Sequence, residues 1–162
     1  MKDFWKKMLY GVLLVCCLFG LYANIGDLQK AISNISSSNS GGKNNSSGGL
    51  NSKENAGYSF IVKRLKSPSS ANLIECIYSD DIKKVVEKAI DSSLPSCITV
   101  GYFEVEAQNS FGGMVRNSYW VFYRNGVPCH LETTDDIDYV IRSGNPSQAI
   151  HLALSSNGCG CN

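Results

Sequence analysis

The chain has 162 residues, 15 Lys/Arg against 14 Asp/Glu, and a formal net charge of +1. A balance this close to zero, with no basic stripe, argues against nucleic acid and anionic lipid headgroups as partners. Only two histidines are present, which narrows acid–base and metal chemistry from the start.

Residues 8–23, MLYGVLLVCCLFGLYA, hold no charge. Counted on to Ile25 the run reaches the roughly 17–25 residues that a membrane span needs. Phe4 and Trp5 extend it at one interface and Tyr22 marks the other. Lys2, Lys6 and Lys7 precede it, so the positive-inside rule puts the amino end in the cytoplasm and the rest outside. A cleaved signal peptide competes with this reading. However, Leu21, Tyr22 and Ala23 do not form a small-x-small cleavage pattern. A lipoprotein signal, acylated at Cys16 or Cys17, also competes, but it wants a small residue before the cysteine. Val15 precedes Cys16, and Cys16 precedes Cys17.

After the anchor (8–25), residues 26–35 keep Leu28, Ala31, Ile32 and Ile35 at helical spacing and read as a helical extension. Residues 36–56, SSSNSGGKNNSSGGLNSKENA, are low complexity with Leu50 the only sizeable apolar side chain. Such a segment buries too little to offset its ordering entropy and reads as a disordered linker. At about 21 residues, its reach on the Gly/Ser estimate is roughly 25 Å.

Residues 57–162 form the extracytoplasmic domain, enough for one modest core. This stretch has nine Lys/Arg against eleven Asp/Glu, a balance of −2. Tyr58, Ile61, Val62 and Leu65 at i, i+3, i+4 and i+7 predict a short helix, ended by Ser67-Pro68. Residues 73–78, LIECIY, predict a strand. Residues 80–91 predict a helix with acids in its first turn and Ile82, Val85, Val86, Ala89 and Ile90 on one face.

Residues 97–108 predict a strand whose apolar parity switches from Ile98 and Val100 to Phe103 and Val105. A bulge near Gly101 is the expected cause. The NSFGG loop, 109–113, leads to a second strand at 114–124. Asn125-Gly126, a strong hairpin signal, leads to a third at 127–133. Thr133 or Thr134 should cap a helix opened by Asp135, Asp136 and Asp138, and Asn145-Pro146 should start another. The expected fold is α+β: an antiparallel sheet with packed helices, preceded by one transmembrane helix and a disordered linker.

Two motifs carry a resemblance. LKSPSSAN (65–72) followed by GYFEVEAQNSFGGMVRN (101–117) resembles a small domain of uncharacterised bacterial and phage proteins. Those proteins carry LKSPSTAKF-like and GYVDAQNSFGAMVR-like segments, often behind a membrane anchor or lipoprotein signal. Here residues 79–96 are inserted between the motifs, and everything after Asn125 is added. The resemblance implies a fold unit and a bacterial envelope setting, and no activity. Physically, Ser67, Pro68 and Ser69 suit a turn, and Gly112 and Gly113 permit positive φ. Arg116 can pair with Glu104 or Glu106 across the hairpin. The sharper expectation is a binding surface of Asn109, Ser110, Phe111 and Arg116.

Five cysteines lie beyond the anchor: Cys76, Cys97, Cys129, Cys159 and Cys161. Outside the cytoplasm they can oxidise, and the odd count leaves one unpaired or intermolecular. Cys76–Cys97 and a bridge from Cys129 to Cys159 or Cys161 are the candidate pairings, with inert buried cysteines as the alternative. A metal site from Cys129, His130, His151, Cys159 and Cys161 is disfavoured. Residues 129 and 130 of a strand should point to opposite faces, and the spacing matches no strong ligand pair. Neither a metal nor a cofactor is therefore expected. Cys129 with His151 is the one conceivable catalytic dyad, though no local signature supports it. The expected function is a non-enzymatic, single-pass, membrane-anchored binding or interaction domain. Its partners would be the bilayer, through residues 8–25, and an envelope protein or ligand, with no nucleic acid. An envelope enzyme using Cys129 and His151 is the alternative.

Overall fold

The computed structural model of the protein describes residues 50–161. The expected cytoplasmic stretch, anchor, helical extension and linker residues 36–49 lie outside the described residues. Among the described residues no helix is long and apolar enough to cross a membrane.

The first helix, α1 (Ser52–Val62), begins inside the stretch expected to be linker. Asn51 caps it: its side chain accepts from the Lys53 and Glu54 amides, and the Glu54 carboxylate accepts from the Asn51 amide at 2.9 Å. This capping box, together with the apolar residues that follow, orders residues 52–56 against their polar composition. A 3-10 turn (Pro68–Ser70) leads to β1 (Asn72–Tyr78), then α2 (Asp80–Ala89) and the long β2 (Ile98–Gln108). Next come β3 (Met114–Arg124), β4 (Val127–Thr133), α3 (Thr134–Arg142) and α4 (Pro146–Ser156). The α+β expectation holds in the described region, which is one four-stranded antiparallel sheet in the order β1-β2-β3-β4.

β2 and β3 pair without interruption from Ile98↔Arg124 to Gln108↔Met114. The bulge expected near Gly101 is absent. The apolar parity changes for another reason: both faces of the sheet are buried. Ile98, Val100 and Tyr102 face one way, with Trp120 and Phe122, under α2, α3 and α4. Phe103 and Val105 face the other way, with Tyr119, Val121 and Tyr123, under α1. A strand covered on both sides reads as nearly continuous apolar sequence. The irregularities fall instead on the edge strands, between Leu73 and Glu75 in β1 and opposite Phe122/Tyr123 in β4.

Glycine decides how closely α1 sits on the sheet. A Cβ at Gly57 would collide with the Tyr123 hydroxyl and the Phe103 ring. At the β3–β4 turn, Asn125 and Gly126 take φ of 50° and 82°. Two consecutive positive values are what a type I′ hairpin turn requires. The cap on α3 is Thr133, whose hydroxyl accepts from the Asp136 amide. Asn145 caps α4, with Pro146 in the first turn.

The cysteines correct the expected pairing. Cys97 joins Cys161, with Cα atoms 6.3 Å apart, and Cys129 joins Cys159 at 5.6 Å. Cys76 is free. Cys76 lies in the layer beneath α1, whereas Cys97 packs with the α2/α3/α4 layer. The sheet therefore stands between the two residues expected to bridge. The Cys129–Cys159 option is the one found.

Candidate functional site

The two ends of the sheet carry different chemistry. Where the chain enters, the Tyr123 hydroxyl donates to the Lys53 carbonyl at 3.2 Å, and the Lys53 side chain lies near Gly126. The carboxyl tail returns to the same end, where Arg124 donates to the Gly160 carbonyl at 3.1 Å. From there α1 runs toward the other end, covering about 16 Å at 1.5 Å per residue. Its exit, Arg64 to Lys66, meets the 109–113 loop.

At that far end the two sequence motifs touch. The Ser70 hydroxyl donates to the Ser67 carbonyl at 2.8 Å and accepts from the Gln108 amide at 2.8 Å. It occupies the edge of β2 just beyond the last β1 pairing, Asn72↔Glu106. The Lys66 ammonium donates to Ser110 Oγ at 3.0 Å. Ser67 makes no side-chain cap, so the turn chemistry expected of residues 67–69 resides in Ser70.

The NSFGG loop is pinned from within. Asn109 Oδ1 accepts from the Phe111 and Gly113 amides at 2.9 and 3.0 Å. The Asn109 amide donates to the Gly113 carbonyl at 2.8 Å, and the Gln108 side chain donates to the Gly112 carbonyl at 2.9 Å. Gly112 alone in the loop needs positive φ, at 83°. On this ordered loop the Phe111 ring is 97% exposed, and Met114 and Val115 beside it are 53% and 39% exposed. A shallow groove of about 410 Å³ runs alongside, between Arg64, Leu65 and Lys66 on one wall and Asn109, Ser110 and Phe111 on the other. Tyr119, itself buried, is part of its lining.

Of the four residues expected to form a binding surface, the structure brings Asn109, Ser110 and Phe111 together. Arg116 stands apart. Strand alternation puts it on the face of Trp120 and Phe122, opposite the face that carries Val115 and Tyr119. It forms an ion pair with Glu104 at 3.5 Å. Glu104 is directly opposite Glu75 in the sheet, so Arg116 offsets a cross-strand meeting of like charges. The sequence reading missed Arg64, Lys66 and Ser70. Lys66 and Ser70 lie inside the LKSPSSAN motif and Arg64 just before it, but the partners that give Lys66 and Ser70 their roles, Ser110 and Gln108, are tens of residues away.

The catalytic alternative loses its nucleophile: Cys129, bound to Cys159, has no thiol to act with His151. The bridges also occupy Cys159 and Cys161. Residues 129 and 130, expected on opposite faces, lie on the same one. The irregularity in β4 puts Cys129 in the layer beneath α2, α3 and α4, where His130 also stacks near Phe122. His130 Nε2 is 2.7 Å from Glu132. Among the described residues no group of three or more His, Cys, Asp or Glu side chains could hold a metal. Burial first, then Glu54 and Glu75, push the Cys76 thiol up to about 12, so it stays protonated and unreactive near neutral pH.

Compared with protein-family models, curated proteins and solved structures, the chain finds no match.

Proposed function

We propose that this protein is a membrane-anchored, extracytoplasmic binding domain of the bacterial envelope, without enzymatic activity. In this reading the tether leaves its hairpin end free to reach away from the bilayer. The anchor is residues 8–25, with the amino end in the cytoplasm. The setting rests on that uncharged run and on the resemblance carried by residues 65–72 and 101–117. Acylation at Cys16 or Cys17 would change the anchor and leave the domain's role intact; the mass of the intact protein separates the two.

The observation that carries the reading is Phe111. A large aromatic side chain is fully exposed on a loop whose backbone is held by Asn109 and Gln108. Ordering a loop and exposing an aromatic ring both cost free energy in the unbound protein, while preordering lowers the cost of binding a partner. The described chain enters the domain at the opposite end, beside Gly126, so the loop is clear of the tether's attachment point.

A photo-cross-linking amino acid at position 111 of the full-length protein in intact cells tests this. Position 127, exposed at the tethered end, is the control. Discrete adducts at 111 and not at 127 are expected. No adducts at 111, or the same pattern at both positions, would reject the reading.

A further inference from the structure

We infer that the groove between residues 64–66 and the 109–113 loop binds an extended, carboxylate-bearing peptide segment of a partner protein. This rests on the reading of the hairpin end as the binding surface and names the chemistry it selects.

The groove is cationic and holds no acid. Arg64 and Lys66 line it, and no Asp or Glu does. Among the described residues neither cation forms a salt bridge. Both are held in place nonetheless. The Arg64 guanidinium lies 3.5 Å from the centre of the Phe60 ring and donates to the Phe60 carbonyl at 2.9 Å. One bond uses one of five N–H donors, so the fork retains donors for a carboxylate. The Lys66 ammonium uses one of its three donors on Ser110. Two cations positioned by neutral partners and left without counter-charges are complementary to an anion.

The rest of the lining is uncharged: apolar, amide or hydroxyl side chains. Leu65, Val115 and Phe111 suit an aliphatic or aromatic side chain, and Asn117 offers an amide. The volume of about 410 Å³ lies at the lower end of the roughly 300–1,000 Å³ typical of ligand sites. Alternating acidic and apolar side chains on an extended peptide match this lining. The peptide would be held by side chains and not as an added strand, because Ser70 already takes the Gln108 amide at that edge. An anionic bilayer fits less well. The domain that carries the patch has a net charge of −2, which an anionic surface repels.

Fluorescence anisotropy with full-length protein in detergent tests the inference. The probes are a labelled alternating Glu-Leu heptapeptide, its Gln-Leu counterpart, and, as unlabelled competitors, the soluble headgroups glycerophosphoglycerol and glycerophosphocholine. The Glu-Leu peptide should bind saturably and about tenfold more tightly than the Gln-Leu peptide, the scale of one charge-assisted hydrogen bond. Arg64→Gln with Lys66→Gln should remove that preference. Phe111→Ser should weaken both peptides. Arg116→Gln, on the other face, should change neither. Circular dichroism melts confirm that each variant is folded. Equal affinity for the two peptides, a preference that survives the double substitution, or displacement of the Glu-Leu peptide by glycerophosphoglycerol as readily as by unlabelled Glu-Leu peptide would each overturn the inference. Adducts at position 111 in cells without Glu-Leu binding would reject the carboxylate class and keep the binding surface. Absence of both would reject the surface itself.

Discussion

At the end of the sheet where the chain enters, covalent bonds do most of the fastening. Cys97–Cys161 and Cys129–Cys159 clamp the tail after α4 onto β2 and β4, and Arg124 holds the Gly160 carbonyl. At the other end the β2–β3 loop is held by hydrogen bonds that involve Ser70, Lys66, Asn109 and Gln108, with the loop's largest side chain, Phe111, in solvent. The first end resists unfolding. The second holds its shape through exposed hydrogen bonds, with its ring in water. A stapled end lets a small core tolerate an apolar ring left outside it.

The sharpest way to break the comparison is to remove the staples. Cys97→Ser with Cys161→Ser opens a loop of 64 residues, worth about 4 kcal/mol on the chain-entropy estimate. Tm should fall by roughly 15 °C or more. Below the new Tm, amide exchange in the 109–113 loop should match that of the parent, because none of its bonds involves the clamp. Faster exchange there would show the two ends to be one cooperative unit.

The next effect tests the α1 layer between them. Gly57→Val drives a side chain into Tyr123 and Phe103. Overpacking of this kind typically costs about 1–3 kcal/mol, read by urea denaturation. A neutral result would mean that α1 does not sit close on the sheet.

Alkaline titration probes the same layer. The Cys76 thiol is raised to about 12, first by burial, and burial likewise raises the Tyr123 hydroxyl. Folded values above unfolded ones mean stability that is complete below about pH 9 and lost as pH rises toward 12. At pH 10 the Cys76 share is about 1 kcal/mol. Cys76→Ala should flatten the decline between pH 9 and 11, and an unchanged slope would refute the burial of this thiol.

Much of this layout was legible in the chain. Alternation and the Asn125-Gly126 turn gave β3 its bounds, and 80–91 gave α2 its face. What misled was the assumption of one buried face. Apolar residues of both parities around Gly101 suggested a bulge, whereas helices on both sides of the sheet bury both parities. The start of α1 was hidden because polar composition outweighed the Asn51/Glu54 cap. Bridge partners were legible only as a set, since pairing depends on which face each cysteine occupies. The groove was half legible. The 109–113 loop announced itself, but its other wall arrives from residues more than 40 positions earlier.

A smaller effect belongs to the loop alone. Asn109→Ala removes the acceptor shared by the Phe111 and Gly113 amides. Both bonds are exposed, so global stability should fall by about 1 kcal/mol or less. Amide exchange at 111 and 113 should nonetheless quicken well beyond that of neighbouring strands. Retained protection would mean that Gln108 and the strand ends suffice to fix the loop.

The smallest effect separates structure from binding most cleanly. Arg116 is half exposed, and its pair with Glu104 is 3.5 Å long. Exposed pairs are worth roughly 0–1 kcal/mol. Arg116→Ala should therefore cost at most about that much, with part of the loss coming from Glu104 left facing Glu75. A double-mutant cycle with Glu104→Gln isolates the pair, and added salt should shrink its coupling. Position-111 cross-linking should be unaffected, because Arg116 lies on the far side of the sheet from the groove. If Arg116→Ala abolished those adducts while leaving stability within 1 kcal/mol, the partner would have to wrap the hairpin tip and contact both faces, and the groove would be only half of its site.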